Sequence, residues 1–146
     1  MSVPQSRAEW HRLASELRYS TGHYIHGEHV AALAGRFTVV NPATAEPLCE
    51  VAAGDATDID AAVASGQRAF REGTWRRMAP RDRLDVLNRL AALIEKHTAR
   101  FTLLDSLCMG KPVRDMVAVD VPQSALTFRY FAELSDKVEG TVTATA

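Results

Sequence analysis

Apolar residues recur with a helical period over most of this chain, and a different pattern interrupts them near its start. Trp10, Leu13, Ala14 and Leu17 fall at helical spacing, with Arg7, Glu9, Arg12 and Glu16 between them. This predicts an amphipathic helix over 4–18 within a leading segment, 1–20. From 22 to 52 the pattern changes to short runs punctuated by Gly22, Gly27, Gly35, Pro42 and Pro47. Tyr24-Ile25, His29-Val30-Ala31, Phe37–Val40 and Leu48–Val51 predict strands, with 41–46 as a turn, so 22–52 is expected to form antiparallel β-hairpins.

Helical periodicity then fills 57–137. Ile59, Ala62, Val63, Gly66, Ala69 and Phe70 predict one face of a helix over 57–72, capped by Thr57 and closed by Gly73. Leu84, Leu87, Leu90, Ala91, Ile94, Phe101, Leu104 and Cys108 predict a single long helix over 80–109, stopped by Gly110 and Pro112. Another helix is expected over 112–137, kinked or broken at Pro122 and closed by Gly140. Thr141 to Ala146 reads as the start of a strand. The fold class expected is mainly α with a small antiparallel β-hairpin unit.

Composition narrows the partners. The chain has 146 residues, 47% hydrophobic and 24% charged, with 17 basic against 18 acidic side chains and a net charge of -1. Such a chain is expected to bury roughly two thirds of its unfolded surface as one domain. The balance of charge argues against nucleic acid and against an anionic membrane surface as partners. No apolar run reaches the length of a membrane span, and the N-terminus lacks the apolar core of a signal peptide. Cys49 and Cys108 are far apart in sequence, outside any C-x-x-C pattern. That predicts a reducing, cytoplasmic setting.

Candidate chemistry is sparse. His23, His26 and His29, with Glu28 among them, have three-residue spacing that could suit zinc. On a strand, however, His23 and His29 would share a face and His26 would point away, which favours solvated strand and turn histidines. Cys108 could be a nucleophile or redox sensor with Lys111 lowering its pKa. Its place on the apolar stripe favours a buried structural thiol instead, and Cys49 receives the same reading. Asp85 and Arg89 have the spacing of a surface salt bridge. The glycines form neither a dinucleotide fingerprint nor a phosphate-binding loop. No catalytic, cofactor-binding or metal-binding residue is assigned.

A series of segments nonetheless resembles the N-terminal part of the aldehyde dehydrogenase superfamily. It comprises Tyr24-Ile25-His26-Gly27-Glu28, Val40-Asn41-Pro42-Ala43-Thr44, Thr57–Val63, Ala69-Phe70, Trp75, Arg81–Leu93, Gly110-Lys111-Pro112 and Arg129-Tyr130-Phe131-Ala132. The match runs from about residue 20 to the last residue. Asp120-Val121-Pro122 and the leading helix resemble the bacterial branch acting on γ-glutamylaminobutanal and other ω-amino aldehydes. The resemblance implies an N-terminal segment of the α/β aldehyde dehydrogenase fold, with 141–146 opening an oligomerisation strand. It implies oxidation of an aldehyde to an acid with NAD or NADP, through a cysteine, an oxyanion site and a glutamate. Those residues fall C-terminal to the stretch covered here, and Cys108 does not match the catalytic cysteine. The chain alone is therefore expected to be inactive and to bind no cofactor. Its expected partners are the remainder of the dehydrogenase or another subunit, in a homo-oligomer.

Two departures from the pattern matter. Asp105-Ser106-Leu107-Cys108 stands where the family commonly has Glu-Thr-Leu-Asp, and Glu139 stands where a tyrosine is common. In some members that final aspartate and the carbonyl at the position of Val40 help bind a monovalent cation. A thiol suits such a hard cation poorly. The alternative to an enzyme segment is a free-standing helical dimerisation or interaction module derived from the family.

Overall fold

The structure is a computed structural model that describes residues 3–31 and 34–142. Helix α1 covers Arg7–Ser15 and is shorter than the expected 4–18. Ser6 and Glu9 close a reciprocal capping box at its start, so Pro4 lies ahead of the helix rather than in its first turn. Two hairpins follow. Strands β1 (His23–Ile25) and β2 (Glu28–Val30) pair antiparallel. They join through His26 and Gly27, at φ 57° and 80°. Two successive positive φ values define the tight turn whose twist matches a hairpin, and glycine accommodates the second at no steric cost. Strands β3 (Arg36–Val40) and β4 (Pro47–Ala52) form a separate pair with an irregularity between Val39 and Val40. Their connection is tied by the Asn41 side chain, which accepts from the Ala43 amide at 2.9 Å.

Helix α2 spans Ala56–Glu72. Its cap is Asp55, not Thr57: Asp55 accepts from the Asp58 amide and Asp58 reaches back to the Asp55 amide. The aspartate pair satisfies two orphan donors. Gly73 ends the helix, and a short turn, α3 (Thr74–Arg77), follows.

The long helix expected over 80–109 is two. Helix α4 covers Pro80–Lys96 and α5 covers Thr98–Met109. His97 sits between them at φ -105°, ψ 20°, outside helical geometry. The Thr98 hydroxyl donates to the Glu95 carbonyl at 2.6 Å, capturing an acceptor at the break. Gly110 then closes α5 at φ 76°, the left-handed conformation that glycine permits.

After Gly110 the chain forms α6 (Val113–Asp115), one wide π turn (Met116–Asp120) and α7 (Val121–Glu133). Pro122 explains the wide turn. It has no N–H to donate, and its ring would clash with a tightly wound carbonyl one turn back. The Ser124 hydroxyl donates to the Asp120 carbonyl at 2.7 Å beside it. A 3-10 turn, Leu134–Asp136, ends the helical part. Thr141 and Val142 carry no regular structure, and the rest of the strand expected over 141–146 lies outside the described residues.

The core lies where α7 packs along α4, with α5 and the π turn beside them. Ala91, Ala125 and Ala132 are fully buried, which lets the two helix backbones approach closely, and Leu103, Met116 and Val121 fill the adjoining space. This core is thin. The accessible surface is 10762 Å², against about 7,400 Å² for a self-sufficient folded chain of this mass. Buried surface is therefore about 54% of the unfolded total rather than the expected two thirds.

Candidate functional site

Part of the exposed apolar surface lies on two helical faces. Along α2, Ile59, Val63 and Phe70 are 60%, 51% and 69% exposed, so the apolar face read from the sequence points to solvent. Trp75 extends it, and Arg76 lies over the Phe70 ring at 5.6 Å. On α7, Leu126, Tyr130 and Phe131 present a second open face opposite the alanines that meet α4. Apolar residues clustered on one open helical face are the pattern of an interaction surface.

Charged groups brace the helices behind those faces. Arg129 grips Glu95 with two parallel bonds of 2.6 and 2.7 Å, tying α7 to α4. The Arg129 hydrogen bond, and then its charge, hold the Glu95 carboxyl below its ordinary value. Lys111 Nζ lies 2.7 Å from Asp120 Oδ1 and 2.6 Å from Oδ2, joining the Gly-Lys-Pro segment to the π turn. These two pairs span 34 and nine residues, so no helical spacing could reveal them. Asp85 and Arg89, paired by that spacing, are exposed but make no ion pair with each other.

The histidines do not converge. His23 and His29 were expected to share a face, but they stand on different strands of one hairpin. His29 lies opposite Tyr24, His23's neighbour, and therefore on the other side. His23 Nε2 approaches the buried Asp58 carboxylate at 3.5 Å. His26 occupies the turn, 3.5 Å from the Ser65 hydroxyl, and Glu28 is exposed on β2. Among the described residues no group of three or more metal-ligating side chains is assembled.

Cys108 is exposed, not buried as its place on the helical stripe suggested, and Cys49 is half-buried on β4. The break at His97 turns α5 relative to α4, so a stripe drawn through both helices loses its meaning at Cys108. Desolvation, then Cys49, then Asp105, push the Cys108 thiol above its ordinary pKa, opposite to the activation that a nucleophile's reading would need from Lys111. A neutral thiol does not suit a hard monovalent cation.

The glycines with positive φ, Gly27, Gly35 and Gly110, lie in or beside hairpins and at a helix C-terminus. None opens a helix N-terminus behind a strand, the arrangement that cradles a dinucleotide phosphate. The described residues thus build two open apolar faces and a braced helical frame. Among the described residues no helix is long and apolar enough to cross a membrane.

A helical core, two separate antiparallel hairpins and two uncovered apolar faces suit a segment of a larger α/β fold. Residues 29–146 match the aldehyde dehydrogenase family, and the chain belongs to it. Its members are oxidoreductases. An aminoacetaldehyde dehydrogenase from Pseudomonas aeruginosa is 42% identical over 134 residues, 91% of this chain and 27% of the relative. The structure of an indole-3-acetaldehyde dehydrogenase complexed with NAD+ superposes with a TM-score of 0.93 at 35% identity, covering 98% of this chain and 29% of that one. A γ-glutamyl-γ-aminobutyraldehyde dehydrogenase from Burkholderia cenocepacia gives 0.90 at 38% identity, covering 95% and 28%. The chain therefore spans between a quarter and a third of the length of these relatives.

Proposed function

We propose that this chain is the N-terminal part of an NAD(P)-dependent aldehyde dehydrogenase. Its substrate class is an ω-amino or γ-glutamylamino aldehyde, oxidised to the carboxylic acid. The segment's role is to frame and support the cofactor-binding and catalytic parts, and in isolation it is inactive and binds no nicotinamide. The cytoplasm is its compartment, and the assembled enzyme is a homo-oligomer.

The observation that carries this reading is the surplus of about 3,400 Å² of accessible surface over a self-sufficient chain. A standard protein–protein interface buries only about 800 Å² on each partner. A surplus this large fits a segment packed within a larger fold better than a module docking one partner. The substrate class rests on likeness to the aminoacetaldehyde and γ-glutamyl-γ-aminobutyraldehyde enzymes.

The test has two arms. Intact mass of the endogenous protein, taken from its own cells, is expected well above 16.0 kDa. Nicotinamide reduction by the purified 146-residue chain with an ω-amino aldehyde is expected to be nil. Turnover by the chain alone overturns the reading of the segment. An endogenous mass near 16.0 kDa favours the alternative, a free-standing interaction module, which would run as a sharp species in size-exclusion chromatography.

A further inference from the structure

Three elements meet at one edge of the molecule, and two of them, β4 and α5, carry Cys49 and Cys108. The segment after α1 is pinned at both ends. Arg100, on α5, donates to the Arg18 carbonyl at 2.8 Å. The Ala52 amide, on β4, donates to the Thr21 carbonyl at 2.8 Å. Tyr19 lies between these two ties and so bridges α5 and β4. The last turn of α5 also abuts the β3–β4 connection. A Cβ placed on Gly110 would come within 3.1 Å of Pro42 Cγ. A cavity of about 450 Å³ is lined from both sides, by Asn41 and Ala43 of the connection and by Ser106 and Leu107 of α5. Cys108 follows Leu107 on that turn, and Cys49 stands on β4 opposite Val39, next to the strand irregularity.

The geometry points to Cys49 and Cys108 as an oxidisable pair, which a peroxide joins into a disulfide linking β4 to the last turn of α5. The electrostatics agree with this proximity. The Cys49 thiol raises the pKa of Cys108, and both thiols raise that of the Tyr19 hydroxyl after desolvation has done so. Partial desolvation, with Cys49 and Asp105 nearby, holds the Cys108 pKa above its ordinary value, so the resting form is the dithiol.

The chemistry balances with hydrogen peroxide or an alkyl hydroperoxide as the oxidant. The more exposed Cys108 attacks the peroxide as its thiolate. An S–O bond forms, the O–O bond breaks, and water or an alcohol leaves, giving a sulfenic acid. Cys49 Sγ then attacks the Cys108 sulfur, the S–O bond breaks, and a second water leaves with the remaining proton. Two thiols are oxidised to one disulfide, and one peroxide is reduced. The inference stands apart from the dehydrogenase reading, because neither cysteine has a role in that chemistry.

The experiment uses the full chain treated with hydrogen peroxide, quenched, unfolded and alkylated, with mass spectrometry of the intact chain and its peptides. The expected result is a monomer lighter by two hydrogens, with neither thiol alkylated. The Cys49 and Cys108 peptides should be linked and then released by dithiothreitol. In Cys49→Ser the reaction should stop at Cys108 sulfenic acid, captured by dimedone. Three results overturn the pairing: Cys108 carrying added oxygen while Cys49 remains alkylatable, only intermolecular dimers, or a bridge that forms only in denaturant.

Discussion

Replacing Met116 by alanine tests where the chain's own core lies. Met116 is 2% exposed, set in the π turn among α5, α6 and α7. Removing a fully buried methionine side chain costs about 2–5 kcal/mol, the transfer term plus the cavity left behind. Single domains are stable by about 5–15 kcal/mol, so one substitution removes a large share of what holds the chain folded. Leu126→Ala is the matched control, at 56% exposure on the open face of α7. Less than half of that leucine is buried, and full burial is worth about 1.5–3 kcal/mol, so the expected cost is about 0.7–1.3 kcal/mol. Urea unfolding of both variants and the parent, at one protein concentration, reads the difference as a fall in midpoint at unchanged slope. Equal costs at the two positions would refute the reasoning, because they would mean that the outer face of α7 is already covered in solution. A cost for Met116→Ala below about 0.5 kcal/mol, the scale of a surface substitution, would refute it as well.

Four further outcomes follow from the same geometry. Thr102 is fully buried and its hydroxyl has no partner among the described residues, so Thr102→Val should raise the urea midpoint by removing a cost of about 1–3 kcal/mol. Asp55→Ala removes the cap of α2 and should lower stability by about 0.5–2 kcal/mol in the same assay. Glu95 has a folded pKa depressed by Arg129, so its contribution is present above the ordinary carboxylate pKa and lost as pH falls through the depressed value. Acid unfolding of Glu95→Gln should accordingly show a shallower loss over that limb, and an unchanged profile would count against the pairing. Phe70→Ser, on the open face of α2, should reduce self-association by light scattering without lowering the unfolding midpoint.

The periodic signals located the helices better than they located their ends. The face of α2 was legible in Ile59, Val63 and Phe70, because side-chain spacing on a helix is local. What that face meets was not legible: periodicity says that a stripe is apolar, not that anything covers it. The helix over 80–109 was misread as continuous because Leu84 to Cys108 keep an apolar rhythm through His97. The break rests on one residue's φ and ψ and a threonine hydroxyl. The cap at Asp55 rather than Thr57 is a competition between two good capping residues, each with an aspartate three positions on, and local spacing does not rank them.

By itself the sequence determined the order and type of the elements, the proline-driven break before α7 and the family resemblance. Each depends on local backbone preference or on a series of short segments in order. Tertiary structure alone decided that His23 and His29 face opposite ways, that Cys108 is exposed beside β4, and that Lys111 finds Asp120. It alone also decided that both outer helical faces stand open. Those facts depend on how distant segments pack, and packing is set by shape and burial summed over the whole fold rather than by the spacing of residues along the chain.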